Sequence, residues 1–274
     1  MKLEKIIAVV NDKGGVGKTL LAVNIAYILA RRFGKTMLLD FDGQSNSSIF
    51  YREDFQDLIG AESIFTRDPT INAVQAMVGD NEVEGLFIAT ATKRLSENAA
   101  QAAAANYPLL DYLLRTALRN YEGDFKFAAI DCPPSPNNLA KNNAIAIASD
   151  IIVPVIADIS SFQGVVGVVE RIALVNNEEP TVHIVTNAYQ QTHKSMNRRV
   201  EGWMDDLEES LQLMLNSNKN SNPVNVVFHR DIKIPTATAA TEAHSLYYPL
   251  DVAVRGSHTN YMIHRLVERV LGNA

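Results

Sequence analysis

The chain has 274 residues, 47% of them hydrophobic and 20% charged, with a formal net charge of −6. That balance suits a sizeable buried core, excludes a disordered or low-complexity chain, and does not mark the molecule as a whole as a basic nucleic-acid binder. The single cysteine, Cys132, leaves no disulfide framework and fits a reducing cytoplasm.

Taken in chain order, Ile6 to Val10 (IIAVV) is a short β-prone apolar run and reads as a buried strand. No signal peptide is expected ahead of it. The stretch after Thr19 (LLAVNIAYILARRF) carries apolar residues at helical spacing and reads as a long helix. Between them lies Lys13-Gly14-Gly15-Val16-Gly17-Lys18-Thr19. A glycine-rich turn between strand and helix, ending in Gly-Lys-Thr, is a phosphate-binding loop. Gly14, Gly15 and Gly17 let backbone N–H groups point at phosphate oxygens, and the helix N-terminus adds partial positive charge. Lys18 would bridge the β- and γ-phosphates, the Thr19 hydroxyl would ligate Mg²⁺, and the backbone around Val16 and Leu20 would complete the cradle. The loop departs from the common pattern at its front, where Asp12 stands in place of a glycine and a second lysine, Lys13, follows.

The KGGVGKT motif resembles the deviant Walker A loop of the ParA/MinD family of P-loop ATPases. The resemblance implies that Lys13 reaches across an ATP-dependent homodimer to the partner's nucleotide; serving its own subunit's phosphates is the alternative. Lys35 to Leu39 reads as the second strand and leads into Asp40-Phe41-Asp42-Gly43-Gln44-Ser45-Asn46. This is similar to the family's D-x-D-P-Q-x-N, with Gly43 in place of proline. The resemblance gives Asp42 the role of orienting the attacking water near the metal, and Asp40 a supporting role in the magnesium shell or the loop. Both carboxylates could also simply cap a following helix.

A strand at Leu86–Ala89 and helices near Ser96–Asn106 and Leu109–Asn120 are expected next. Phe127 to Asp131 is an apolar strand ending in a carboxylate, the Walker B arrangement, and Asp131 would hold Mg²⁺ through a water. The following Cys132-Pro133-Pro134 resembles the family's switch region. A lone cysteine also speaks against the superfamily's iron–sulfur members, which need two per subunit. Further helices are expected at Asn137–Ala148, Ser160–Val175, Ser195–Leu215 and Ser257–Leu271, and strands at Ile151–Ile156, Val182–Asn187 and Val224–Phe228. The alternation predicts one α/β domain over 1–274, a mostly parallel sheet with helices on both faces.

By resemblance, Asn187 is the candidate for the adenine amino group. The segment from Phe228 to Ile234, with His229 and Arg230, would lie along the other side of the base. His183 sits inside a strand and reads as a hydrogen-bonded core residue.

Three basic groups are candidates for non-specific DNA binding: His193 and Lys194 with Arg198 and Arg199; Arg230 with Lys233; and Arg255, Arg265 and Arg269. The family resemblance implies ATP and Mg²⁺ as cofactors and a ParB-like or other adaptor that stimulates slow hydrolysis. It also implies a cytoplasmic, nucleoid-associated location. The competing reading is a MinD-like membrane-cycling ATPase. Its C-terminal helix would use the stripe Ile263, Leu266, Val267, Val270 and Leu271. That helix carries Glu268 and no lysine-rich face, so packing on the sheet is the simpler expectation.

Overall fold

The computed structural model describes residues 3–105, 110–136, 138–189, 194–217, 222–235 and 247–273. Its frame is one eight-stranded sheet built from β1 (Lys5–Val9), β2 (Thr36–Asp40), β3 (Val74–Val78), β4 (Asn81–Ala89), β5 (Phe127–Asp131), β6 (Asp150–Val155), β7 (Thr181–Tyr189) and β8 (Asn225–Pro235). The spatial order is β3-β4-β2-β5-β1-β6-β7-β8. Every neighbouring pair is parallel except β3 with β4. The helices are α1 (Lys18–Arg32), α2 (Lys93–Ala104), α3 (Leu113–Asn120), α4 (Leu139–Ile147), α5 (Ile159–Val175), α6 (Lys194–Ser217), α7 (Leu250–Ala253) and α8 (His258–Val270).

A parallel sheet needs cover on both faces, and every residue of β2, β5 and β6 is buried. One apolar cluster packs one face under residues of α2 to α6, including Leu95, Leu114, Ala144, Phe162 and Met204. The other face carries α1, α7 and α8 through Leu21, Ile25, Leu250, Ile263 and Leu266. Ile263, Leu266, Val267 and Val270 of the C-terminal stripe are therefore core residues. Among the described residues, no helix is long and apolar enough to cross a membrane.

The expected mostly parallel architecture is present, with three differences. β3 is not among the expected strands: it pairs antiparallel with β4 through a two-residue turn, Gly79-Asp80, in which Gly79 has φ 56°. A Gly-Asp pair between apolar runs is a hairpin signal, and β4 accordingly starts five residues before the expected strand. α2 starts at Lys93 because the Thr92 side chain caps it, accepting from the Arg94 N–H. The segment from Phe228 to Ile234, expected beside a base, is part of β8. There His229 pairs with Val185 and Lys233 with Thr186, so residues 230–232 bulge out of the ladder.

Candidate phosphate and metal site

Residues 10–17 connect β1 to α1 at the C-terminal edge of the sheet. Gly15 and Gly17 have φ 73° and 90°, left-handed backbone that favours glycine. Gly17 is the N-cap of the fifteen-residue α1 and has no side chain to cap it, which leaves the first helical N–H groups for an anion. A Cβ at Gly17 would lie 2.0 Å from Asn187 Nδ2. Asn187, in β7, donates that amide to the Val16 carbonyl at 2.7 Å. Asn187 thus clamps the loop, a contact its sequence position did not suggest. Asn11 does the same at the front, donating to the Pro154 carbonyl at 2.8 Å and accepting from the Lys13 N–H at 2.8 Å.

The two lysines of the loop point to different places. Lys18 is 7% exposed, and its Nζ donates to the Lys13 carbonyl at 2.9 Å. Burial lowers its pKa from the ordinary lysine value, against the nearby charges of Asp131, Cys132 and Asp42. Lys13 extends to the N-terminus of α5, where Nζ donates to Asp158 Oδ1 at 2.6 Å and Ser160 Oγ at 2.8 Å. Asp158 caps α5 by accepting from the Ser160 N–H at 2.9 Å. The Lys13 hydrogen bond holds the Asp158 carboxyl well below the usual carboxylate range. Asp12 pairs with Lys141, whose side chain is 2% exposed, and so ties the loop to α4. The motifs do not single out Asp158, Ser160 or Lys141, although an Asp followed by Ser residues before a helix is a capping signal.

The carboxylates divide by role. Asp40 closes the loop after β2: Oδ1 accepts from the Asp42 N–H at 3.0 Å, and Oδ2 from the Ser48 N–H and hydroxyl at 2.8 and 2.6 Å. Asp42 accepts from the Gln44 N–H at 3.0 Å and is half-buried. No helix follows these residues directly, so the helix-capping alternative does not hold. Asp131 stands opposite Asp40 in the β2–β5 register. It is 1% exposed, and neither carboxylate oxygen has a hydrogen-bond partner among the described residues. Burial and the charge of Asp40 push its pKa up to about 8; the hydroxyls of Thr19 and Ser47 oppose that rise. Burial also pushes Asp40 up to about 6, opposed by its hydrogen bonds from Ser48. An unpartnered buried carboxylate, hydroxyls from Thr19 and Ser47, and a second acid at a phosphate loop form an all-oxygen donor set that fits Mg²⁺.

His229 and Arg230 are not brought to the loop. His229 is 4% exposed, and its Nε2 lies 2.9 Å from His183 Nδ1, with His183 Nε2 3.1 Å from Asp150 Oδ1. The imidazole is committed to a buried His–His–Asp chain that continues to Lys5, so any contact of this segment with a base would come from its backbone. Arg230 lies in the β8 bulge, paired with Asp205 and Glu208 of α6. Burial and the neighbouring His183 lower the His229 pKa to about 4, with Arg269 acting in the same direction and Asp231 against it. Below pH about 6.5 the unfolded chain gains a proton at this histidine that the folded chain refuses until about pH 4. Its contribution to stability is thus present above that window and lost as the pH falls through it. Asp150, held low by His183 and Lys5, loses its own contribution only in more acid solution. Thermal melts of wild type and His229→Gln should show a shallower pH dependence for the variant between pH about 6.5 and 4. Parallel curves would refute the assignment.

Four of the candidate DNA-binding cations are internally paired, Arg230 among them. Lys233 meets Glu201, and Arg265 and Arg269 both meet Asp231. Arg198, Arg199 and Arg255 are exposed. His193 and the Lys194 side chain lie outside the described residues.

A strand, a left-handed glycine turn, a helix start with a buried lysine and a strand-end carboxylate together define a P-loop nucleotide-binding protein. Residues 4–184 match a family model described as an AAA domain. The chain belongs to this family, within the ParA/MinD group of deviant Walker P-loop ATPases. It is 31% identical over 175 residues to the chromosome partitioning protein ParA of Myxococcus xanthus, covering 62% of this chain and 59% of that one. The match thus spans about three-fifths of that relative's length. The fold is similar to apo McdA from Cyanothece, with a TM-score of 0.74 at 15% identity, covering 98% of this chain and 99% of that one. It is also similar to cobyrinic acid a,c-diamide synthase of Mycobacterium smegmatis with bound ATP analog and magnesium. That comparison has a TM-score of 0.69 at 22% identity, over 97% of this chain and 94% of that one.

Proposed function

We propose that the chain is an ATP-dependent partition or positioning ATPase that closes into a nucleotide-sandwich dimer. The dimer binds DNA without sequence preference and is released when an adaptor stimulates hydrolysis. Relatives bearing the names ParA, Soj and PomZ, assigned to chromosome partitioning or cell division, support the biological setting. The observation that carries the dimer is the direction of Lys13. Its ammonium lies at Asp158 and Ser160 on the surface and not over its own loop, which Lys18 serves.

In this reading the backbone from Gly14 to Leu20 binds the phosphates and Lys18 bridges the β- and γ-groups. Thr19, Asp131 and Asp42 would hold Mg²⁺, which supplies charge neutralisation between the phosphates when bound. Asp42 orients a water toward the γ-phosphorus. The water oxygen forms the new P–O bond as the bridging oxygen leaves with ADP. Asn187 Oδ1 can accept from the adenine amino group while its Nδ2 keeps the loop.

DNA binding rests on Arg198, Arg199 and Arg255, joined by Lys194 and by Lys233 and Arg265. Surface ion pairs such as those of Lys233 and Arg265 hold only about 0–1 kcal/mol, so a phosphate can displace the acid. One monomer offers few phosphate contacts; two subunits side by side double them. A polarisation titration on unrelated duplexes should show binding with ATP and not with ADP or without nucleotide, falling steeply with salt. Arg198→Glu with Arg199→Glu should weaken every duplex alike and lower the salt slope by about one for each phosphate no longer neutralised. Equal binding in all three nucleotide states would remove the switch. ATP-dependent binding to anionic liposomes without DNA binding would favour the MinD-like reading.

A further inference from the structure

The front of the phosphate loop is anchored from one side. Gly14 and Gly15 follow Lys13, and Gly15 has φ 73°, so the chain after the lysine is the most permissive kind of backbone. The Lys13 carbonyl is held by Lys18, an ammonium that a bound phosphate would compete for. What fixes the direction of Lys13 must therefore act from the residues before it. Asn11 is 0% exposed and joins the Pro154 carbonyl to the Lys13 N–H. Asp12, the next residue, is held by Lys141.

Lys141 stands in the first turn of α4 with its side chain 2% exposed. Among the described residues, Asp12 is the one acceptor for its ammonium. An ammonium has three donors and is costly to bury, and an apolar side chain beside Val10 and Ile145 would avoid that cost. Asp12 does not need the lysine for solvation, because its side chain is 28% exposed. The lysine is itself fixed: its N–H donates to the Asn138 cap of α4 at 3.0 Å. Stability alone therefore does not account for a buried lysine here. Its effect is to hold residue 12, and with it the start of the loop, at one place against α4.

We propose that Lys141 is a positioning residue for Lys13. Through Asp12 it fixes the front of the loop so that the Lys13 side chain leaves its own phosphates and is presented at the surface near Asp158 and Ser160. The assignment rests on the reading of Lys13 as the lysine that reaches the partner subunit's nucleotide. Lys141 acts through Lys13, so its effect lies in dimerisation and disappears when Lys13 is removed.

The test is light scattering across protein concentration with Mg²⁺ and a non-hydrolysable ATP analogue, so that turnover does not deplete the dimer. Lys141→Met, similar in length and without the charge, should raise the dimer dissociation constant about tenfold. Its affinity for a fluorescent ATP analogue, read where wild type is monomeric, should stay within about twofold of wild type. Asp12→Asn with Lys141→Met removes the pair without changing net charge or leaving a buried charge unpaired. It should weaken the dimer equally, and it carries the test if Lys141→Met alone does not fold. Lys141→Arg keeps the cation and should recover most of the loss. In a Lys13→Ala background, Lys141→Met should change dimerisation less than about twofold, because the residue it positions is gone. Wild-type dimerisation by Lys141→Met and by the paired variant overturns the proposal. So does a loss of the same size in the Lys13→Ala background, which would mark a general effect on the fold. An equal loss of nucleotide affinity in the monomer also overturns it, since the whole loop would then be disturbed. A Lys13→Ala protein that dimerises like wild type would instead overturn the reading of Lys13, and this proposal with it.

Discussion

Lys18→Ala should lower ATP affinity about a hundredfold. The lysine is the one loop side chain whose ammonium is buried at the start of α1, 7% exposed, with its Nζ parked on the Lys13 carbonyl. Hydrogen bonds to a charged group contribute about 1.5–3 kcal/mol each, and losing one or two of them without a substitute amounts to about 3 kcal/mol. Neither of the nearby lysines is aimed at this loop's phosphates: Lys13 extends to the start of α5 at Asp158, and Lys141 is held at Asp12. The backbone N–H groups of the loop remain, so binding is weakened and not abolished. Without nucleotide the same substitution should be nearly neutral for stability, because burial already works against the Lys18 charge. A fluorescent-nucleotide titration with a thermal melt as control reads both effects. Affinity within about threefold of wild type would show that Lys18 is not the phosphate ligand.

The parts of this molecule that sequence reveals are the parts held together by local chemistry. The strand–loop–helix of residues 6–32 is such a case, since apolar period, glycines and helix start all lie within one stretch of chain. Asp131 is another, because a carboxylate ending a five-residue apolar strand is visible without its neighbours. The features that sequence hides depend on contacts between distant segments. The pairing of Asp12 with Lys141 joins residues 129 apart, and the His183–His229 contact joins residues 46 apart. The bulge in β8 likewise cannot be read from the residues that form it. The hairpin of β3 and β4 is different, since its Gly79-Asp80 turn between apolar runs is a local signal that periodicity alone does not weigh.

Lys13→Ala should leave ATP binding near wild type and raise the dimer dissociation constant a hundredfold or more. In the single chain the lysine is held by an exposed ion pair, its side chain 29% and that of Asp158 47% exposed. Such pairs contribute about 0–1 kcal/mol, so the lysine can leave Asp158 for a neighbouring phosphate at small cost. In a two-fold dimer each lysine acts once on each nucleotide, so one substitution removes two such interactions. At about 1.5–3 kcal/mol for each charge-assisted hydrogen bond, the loss is at least about 3 kcal/mol. Asp42→Ala should have the opposite outcome: it removes the group that orients water but leaves intact what joins the subunits, so the ATP dimer should accumulate. Asp158→Ala separates the two partners of Lys13. It frees the lysine in both monomers and should tighten the dimer by no more than about thirtyfold, the worth of two exposed ion pairs. Light scattering across protein concentration, with ATP and Mg²⁺, measures all three. A Lys13→Ala protein that dimerises like wild type would return Lys13 to a role within its own subunit and take the sandwich dimer out of the mechanism.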